Sequence, residues 1–131
     1  MKTVIKKSAI KKPLSSAKKT DDLFYVYMIE SENGSLYTGY TVDIKARWKK
    51  HCEGKGARFT RAFRPLRLAA CWEITGTKGE AMRIEAFIKT LQKKEKLFLT
   101  ENPRALKRYF IDKKRIDLYA VPCKVYKIKK M

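Results

Sequence analysis

The sequence predicts a small α+β domain: a three-stranded, mainly antiparallel β-sheet flanked by helices in the order β-β-α-β-α, with a C-terminal helical extension. Three observations carry this. Two aromatic and branched runs flank the turn signal "ENGS"; a third apolar run covers residues 66–74; and apolar residues between 77 and 92 recur at helical spacing. At 131 residues with 44% apolar content, the chain has room for one modest core and not for a second full domain.

The elements follow in order. Residues 1–20 hold seven lysines and no acid, with Pro13 and Ser15-Ser16. This composition buries too little surface to fold alone, so residues 1–22 are read as a basic, flexible arm. Phe24–Ile29 and Leu36–Val42 read as a hairpin. Asp43 stands at an N-cap position, and Ile44, Trp48 and Cys52 recur at i, i+4, i+8 as the apolar stripe of a helix that Gly54 and Gly56 end. Residues 54–65 read as a basic loop, and Leu66–Ile74 as a buried third strand. From Thr77 to Gln92, Ala81, Ile84, Phe87, Ile88 and Leu91 share one helix face, with Glu80 in the first turn. A short helical stretch beyond Lys93, a break at Asn102-Pro103 and one further helix to about Lys113 complete the reading. "LYAVPCKVYKIKK" at the end fits no element clearly.

Charge narrows the partner. Thirty-two Lys and Arg against 13 Asp and Glu give a formal net charge of +19, far more than solubility requires, which points to a polyanion and first to nucleic acid. An anionic membrane surface would also attract such a chain, but no run of about 18 apolar residues is present to insert into a bilayer. Cys52, Cys71 and Cys123 are odd in number and lack CxxC pairing, so reduced thiols in the cytoplasm are expected rather than a zinc or redox site. The N-terminus has lysines but no apolar h-region, so no secretory signal is expected.

Residues 45–67 hold nine Lys or Arg against one acid, Glu53. Lys45, Lys49, Lys50, Lys55, Arg58, Arg61 and Arg64 are therefore candidate phosphate contacts, interleaved with Trp48, Phe59 and Phe63. A solvated helix face is the plain alternative. Arg47 and His51 stand four apart, beside the apolar stripe, where a phosphate clamp and a proton-transfer group would sit together; a surface histidine is the alternative. Glu85 falls about 100° from Ile84, at the edge of the second helix's stripe, and either neutralises a nearby arginine or holds a divalent cation. The hairpin carries four of the seven tyrosines. A two-residue Asn33-Gly34 turn would send Tyr27 and Tyr37 to opposite faces, whereas a three-residue Glu32-Asn33-Gly34 loop with Gly34 left-handed puts both on one face.

Taken in order, Tyr25-Val26-Tyr27, Tyr37-Thr38-Gly39, "DIKARWKKH", "GKGARFTR" and "EAMRIEAFIKTL" resemble the GIY-YIG endonucleases, in particular their small single-domain bacterial branch. The resemblance spans about residues 23–95. It implies a nuclease domain over 23–100, in the bacterial cytosol or nucleoid; the basic arm and the basic extension over 101–131 lie outside the resemblance and are read as extra phosphate contacts or a lid over the site. It further implies that Tyr27, Tyr37, Arg47, His51 and Glu85 are catalytic, with Gly39 allowing close backbone approach. By the resemblance, Tyr37 first among the phenols takes a proton from water, its pKa lowered by cationic charge, while Tyr27 orients and His51 shares the relay. Glu85 is then the sole protein ligand of one Mg²⁺ or Mn²⁺, and no organic cofactor is implied. The implied activity is hydrolysis of DNA one strand at a time. Apart from the resemblance, no separate recognition domain is read in the sequence, so selectivity for a branch, flap or nick, as in repair or recombination, is expected rather than sequence-specific cleavage. The first glycine of the family's name is Tyr25 here, and only Asn102 is available to match the asparagine many members carry after the glutamate helix. A non-catalytic nucleic-acid-binding protein on the same scaffold, for DNA or RNA, is the alternative.

Overall fold

The structure, a computed structural model, describes residues 22–128; the basic arm expected over 1–22 lies outside the described residues apart from Asp22. Strands β1 (Asp22–Ser31) and β2 (Leu36–Thr41) form the hairpin, followed by α1 (Ile44–Cys52), α2 (Arg58–Ala62) and β3 (Pro65–Gly76). Then come α3 (Lys78–Lys89), α4 (Lys93–Glu101), a 3₁₀ turn (Pro103–Ala105), α5 (Leu106–Asp112), α6 (Ile116–Tyr119) and β4 (Cys123–Val125). The sheet has four antiparallel strands in the order β2-β1-β3-β4, one more than the sequence predicts. The added strand is three residues of the unplaced C-terminal stretch, too short to carry an alternating pattern.

The hairpin takes the three-residue loop. Tyr27 lies opposite Gly39 and Ile29 opposite Tyr37, and Gly34 adopts φ 84°, the left-handed conformation that glycine enters freely. The loop closes through the Gly34 N–H donating to Ser31 O at 2.8 Å. The helix starts are set by side chains: Asp43 accepts from the Ala46 N–H at 3.1 Å, and Thr77 and Glu80 form a reciprocal capping box.

Alternation along β1 and β3 divides the core in two. Phe24, Val26, Met28, Trp72 and Ile74 face α3 and the C-terminal helices, against Ile84, Phe87, Ile88, Leu106, Phe110 and Leu118. Tyr27, Ile29, Leu68 and Cys71 face the other way, against Ile44 of α1, with Trp48 and Tyr126 closing that side. The C-terminal extension is thus part of both layers. Trp72 Nε1 donates to Pro103 O at 2.8 Å, the Phe87 and Phe110 rings meet edge-on at 5.2 Å, and Tyr126 N–H donates to Cys71 O after the chain crosses the sheet edge.

Two local expectations change. The basic loop of 54–65 contains the short helix α2. On α1, Cys52 is exposed and His51 is buried, because the helix meets the sheet along 44, 47, 48 and 51 rather than 44, 48 and 52. Of the other thiols, Cys71 is buried and Cys123 half-buried, and all three are free. Because Phe110 is fully buried in the extension, Phe110→Ala should cost about 3–5 kcal/mol. Urea unfolding should keep one transition with its midpoint lowered; a separate early phase for the extension would contradict the shared core.

Candidate active site

The side chains of β1, β2 and α1 converge on the second core. Tyr27, 1% exposed, projects beneath α1, and Tyr37 joins it on the same face. The Tyr27, Tyr37 and His51 rings form a triangle with centroids 6.4, 5.7 and 5.6 Å apart. Gly39 makes this packing feasible: a Cβ there would lie 2.6 Å from Tyr27 Oη and 3.1 Å from Tyr37 Cε2. The expected close approach is therefore to the site's own phenols.

The polar contacts define one proton arrangement. Tyr27 Oη lies 3.0 Å from His51 Nε2, and His51 Nδ1 lies 2.6 Å from Thr60 Oγ1, while Thr60 donates to Ala57 O at 3.0 Å. A carbonyl only accepts, and a threonine hydroxyl has one proton. Thr60 therefore gives its proton to Ala57 and accepts from His51 Nδ1–H, which leaves Nε2 as a bare acceptor for the Tyr27 O–H. Arg47 Nε–H reaches the same phenol oxygen at 3.4 Å.

Burial and charge fix the resting protonation states. His51 is fully buried, and burial together with the Arg47 cation lowers its pKa to about 4, so the imidazole is neutral near pH 7. Burial pushes the Tyr27 phenol up to about 12, against the lowering effect of its bond with Arg47. The cationic charge that was expected to acidify a tyrosine is thus outweighed at Tyr27 by desolvation. Arg47 itself is held above its ordinary value, first by the hydrogen bond to Tyr27, with Tyr37 adding to the effect.

Glu85 comes from α3, which packs on β1 and β2 from the opposite face. Its side chain is 17% exposed, its carboxylate is close enough to help raise Tyr27, and its ion-pair partner is Lys89 at 3.7 Å rather than an arginine. Among the described residues no three His, Cys, Asp or Glu side chains cluster as a metal cage. One sheltered hard oxygen that already draws a cation suits an ion such as Mg²⁺, which keeps most of its coordination for water and phosphate.

Lys45, Lys49, Lys50, Lys55, Arg58, Arg61 and Arg64 are all exposed, and none is in an ion pair among the described residues. Arg67 instead pairs with Glu30 at 2.5 Å. Sequence reasoning missed Thr60 and Gly56. Thr60 is buried, and a Cβ on Gly56 would run into the His51 imidazole, so both shape the pocket that holds the ring. The only available signal was a hydroxyl and a glycine inside a run of cations. Asn102 stands apart from the site, with its Nδ2 donating to Phe98 O at the end of α4.

The His51 pKa makes stability depend on pH. Its folded value lies below the unfolded one of about 6.5, so the unfolded chain binds the extra proton between these values. The stability linked to His51 is complete above about pH 6.5 and is lost as pH falls toward 4, on the order of 2–3 kcal/mol. Thermal melts of wild type and His51→Gln across this range should converge as the pH drops. Parallel curves would show that His51 does not titrate as its burial requires.

The GIY-YIG catalytic domain description matches residues 23–98. UPF0213 protein BH0048 of Halalkalibacterium halodurans is 50% identical over 72 residues, covering 55% of this chain and 76% of the relative. UPF0213 protein SAG0778 of Streptococcus agalactiae is 47% identical over 73 residues, 56% of this chain and 82% of that one. A UPF0213 protein of Staphylococcus aureus is 44% identical over 78 residues, 60% of this chain and 94% of its own. The solution NMR structure of the BH0048 protein aligns at 47% identity with a TM-score of 0.40, over 60% of this chain and 83% of that one. No helix among the described residues is long and apolar enough to cross a membrane. With the tyrosine, arginine, histidine and glutamate positions in one matched domain, the chain belongs to the GIY-YIG nuclease superfamily.

Proposed function

We propose that the protein is a divalent-metal-dependent DNA endonuclease that hydrolyses phosphodiester bonds one strand at a time. The observation that carries this reading is the chain Tyr27–His51–Thr60. A phenol held at about 12 is no resting base, but its O–H is already donated to a neutral imidazole nitrogen. As Tyr27 accepts a proton from an attacking water, it passes its own to Nε2, while Thr60 keeps Nδ1–H in place. This favours Tyr27 over Tyr37 as the phenol in the relay; Tyr37, the more open of the two, borders the water from the β2 side. Arg47, charged and bonded to Tyr27, faces the developing negative charge of the phosphorane.

Glu85 is the residue that would hold the metal. When bound there, Mg²⁺ or Mn²⁺ supplies Lewis-acid stabilisation of the leaving oxygen. The seven exposed cations of α1, α2 and their connections hold the phosphate backbone on either side. The exposed cations suit phosphate contacts, which carry no base information, so substrate shape rather than base sequence is the proposed determinant, with branched, flapped or nicked duplexes preferred. Cleavage of linear and branched duplexes at equal rates would end that part of the proposal. Roles in repair or recombination, and a place in the bacterial cytosol or nucleoid, follow from the same proposal.

A second reading has its own observation. Tyr27 and His51 are almost wholly buried and mutually satisfied, as core residues of a binding protein that does no chemistry would be. Glu85→Gln separates the two. With Mg²⁺ or Mn²⁺ on labelled single-stranded, duplex, flap and branched DNAs, the variant should bind within about threefold of wild type and nick at least 100-fold more slowly. Binding by both without nicking by either would establish the second reading. Tyr27→Phe should lower nicking by roughly 10²–10⁴-fold and Tyr37→Phe by less. The reverse order would return the relay to Tyr37.

A further inference from the structure

The C-terminal extension carries a second basic surface on the side of the sheet opposite the tyrosines. Between α4, the 3₁₀ turn and α5 lies an open cleft of about 680 Å³, and Arg104 on its wall also lines a neighbouring cleft of about 440 Å³ beside β4. Arg104 and Arg108 border the first cleft; Lys107, Lys124 and Lys127 border the second, over a floor that includes Trp72 and Val125. Asp112 is the one carboxylate lining the two clefts, and Lys124, between the core-packed Cys123 and Val125, turns to the other face of β4 opposite Glu73. None of the five cations pairs with an acid among the described residues, although Lys107 donates to Tyr119 O at 3.2 Å.

The cleft also has an aromatic wall. Phe98 is 45% exposed, and its ring lies 14° from parallel to that of Tyr109, with centroids 6.3 Å apart. Phe98 is absent from both buried cores; it packs on Tyr109 and leaves nearly half of its surface open beside guanidinium groups. A duplex keeps its base faces stacked inside, whereas an unpaired strand can place a base on an exposed ring and its phosphates on the flanking cations. The row of cations does not end on this face. Lys127 follows Tyr126, whose ring meets that of Tyr25 edge-on at 5.5 Å in the core on the tyrosine side. The surface therefore leads around the β4 edge toward the candidate active site.

We infer that this cleft binds single-stranded DNA, with a base stacked on the Phe98 and Tyr109 pair and the backbone following Arg104, Arg108, Lys107 and Lys127. The inference rests on the nucleic-acid reading of the protein and adds to it an unpaired arm as part of the substrate. The cations of this surface lie beyond the matched residues 23–98, while Phe98 and Trp72 lie within them.

The test is fluorescence anisotropy with full-length protein in EDTA, so that binding is measured without cleavage. The probes are a labelled 12-nucleotide DNA strand, its RNA equivalent and a blunt duplex. Phe98→Ala should weaken binding of the DNA strand roughly 5- to 100-fold and leave the duplex within twofold, while Phe98→Trp keeps strand binding. Replacing both Arg104 and Arg108 by Ala should lower the slope of log affinity against log salt by about 1.4 on the strand. Equal losses on strand and duplex, or no loss on the strand, would overturn the inference, as would a loss confined to RNA. Phe98 is on the surface, so melting at the wild-type temperature is expected, and a large fall in melting temperature with loss on both probes would assign the ring a folding role instead. A protein that nicks DNA while Phe98→Ala binds the strand normally loses the cleft proposal alone. One that never nicks but shows the strand-specific loss keeps the cleft without the catalysis.

Discussion

The pairing register of β1 with β2 is the constraint on which the site depends. Side chains alternate across a strand, so a slip of one residue would move Tyr27 into the helix-packed core and leave Val26 beneath α1. The register is held at two points, the turn and the middle of β1. Gly34 at φ 84° admits the third loop residue, and farther along, Gly39 leaves room for the Tyr27 ring that crosses it. The same register gives the other core its Val26, Met28 and Phe24. Fold and site are therefore specified by one set of contacts, and the turn cannot change without moving the phenols.

From that placement the electrostatics follow in order. Burying Tyr27 raises its pKa and keeps its proton on; burying His51 lowers its pKa and keeps a proton off. Desolvation therefore separates the two groups in opposite senses, and the hydrogen bond between them carries the proton from the group that holds it toward the one that lacks it. Arg47 adds a fixed cation beside the pair that works against His51 protonation and lowers the cost of negative charge on Tyr27. An anion entering the site would offset that cation. Because the effect of Arg47 on His51 is Coulombic, a phosphate bound there, as proposed, would make the imidazole a better proton acceptor than it is in the free protein. In the proposed mechanism, substrate binding and proton transfer would be coupled through the same guanidinium.

What the sequence made legible divides along the range of the interactions. Asp43, Thr77 and Glu80 act on residues three positions away, and their caps are readable because the chain alone decides them. The shared face of Tyr27 and Tyr37 was readable as one of two options, with Gly34 making the three-residue loop available. The burial of His51 was not readable. The i, i+4, i+8 pattern ranks Cys52 as apolar, but the sheet selects the face that carries the histidine, and Thr60 and Gly56 make a polar ring acceptable there. Thr60 escaped notice for the same reason, since a hydroxyl acquires its role only when the partner ring is in place. In the extension, β4 and Tyr126 are fixed by β3, far away in sequence, and no local pattern of three residues announces that pairing.

The extension also bears on how a domain this small remains folded while exposing so many cations. Like charges on α1 and α2 repel one another, and their mutual repulsion is a cost that a core over 23–98 alone must offset. Leu106, Phe110, Leu118 and Val121 add buried apolar surface to the face opposite that patch, and Tyr126 adds to the face beneath it. Removing the extension would therefore weaken the fold and expose Trp72 and its indole N–H, now bonded to Pro103. Bound polyanion acts in the same direction as the extension, because it screens α1 and α2. Repulsion within the basic surface is thus greatest when no anion screens it, and under the proposed function polyanion binding there would stabilise the same α1 that holds His51 over Tyr27.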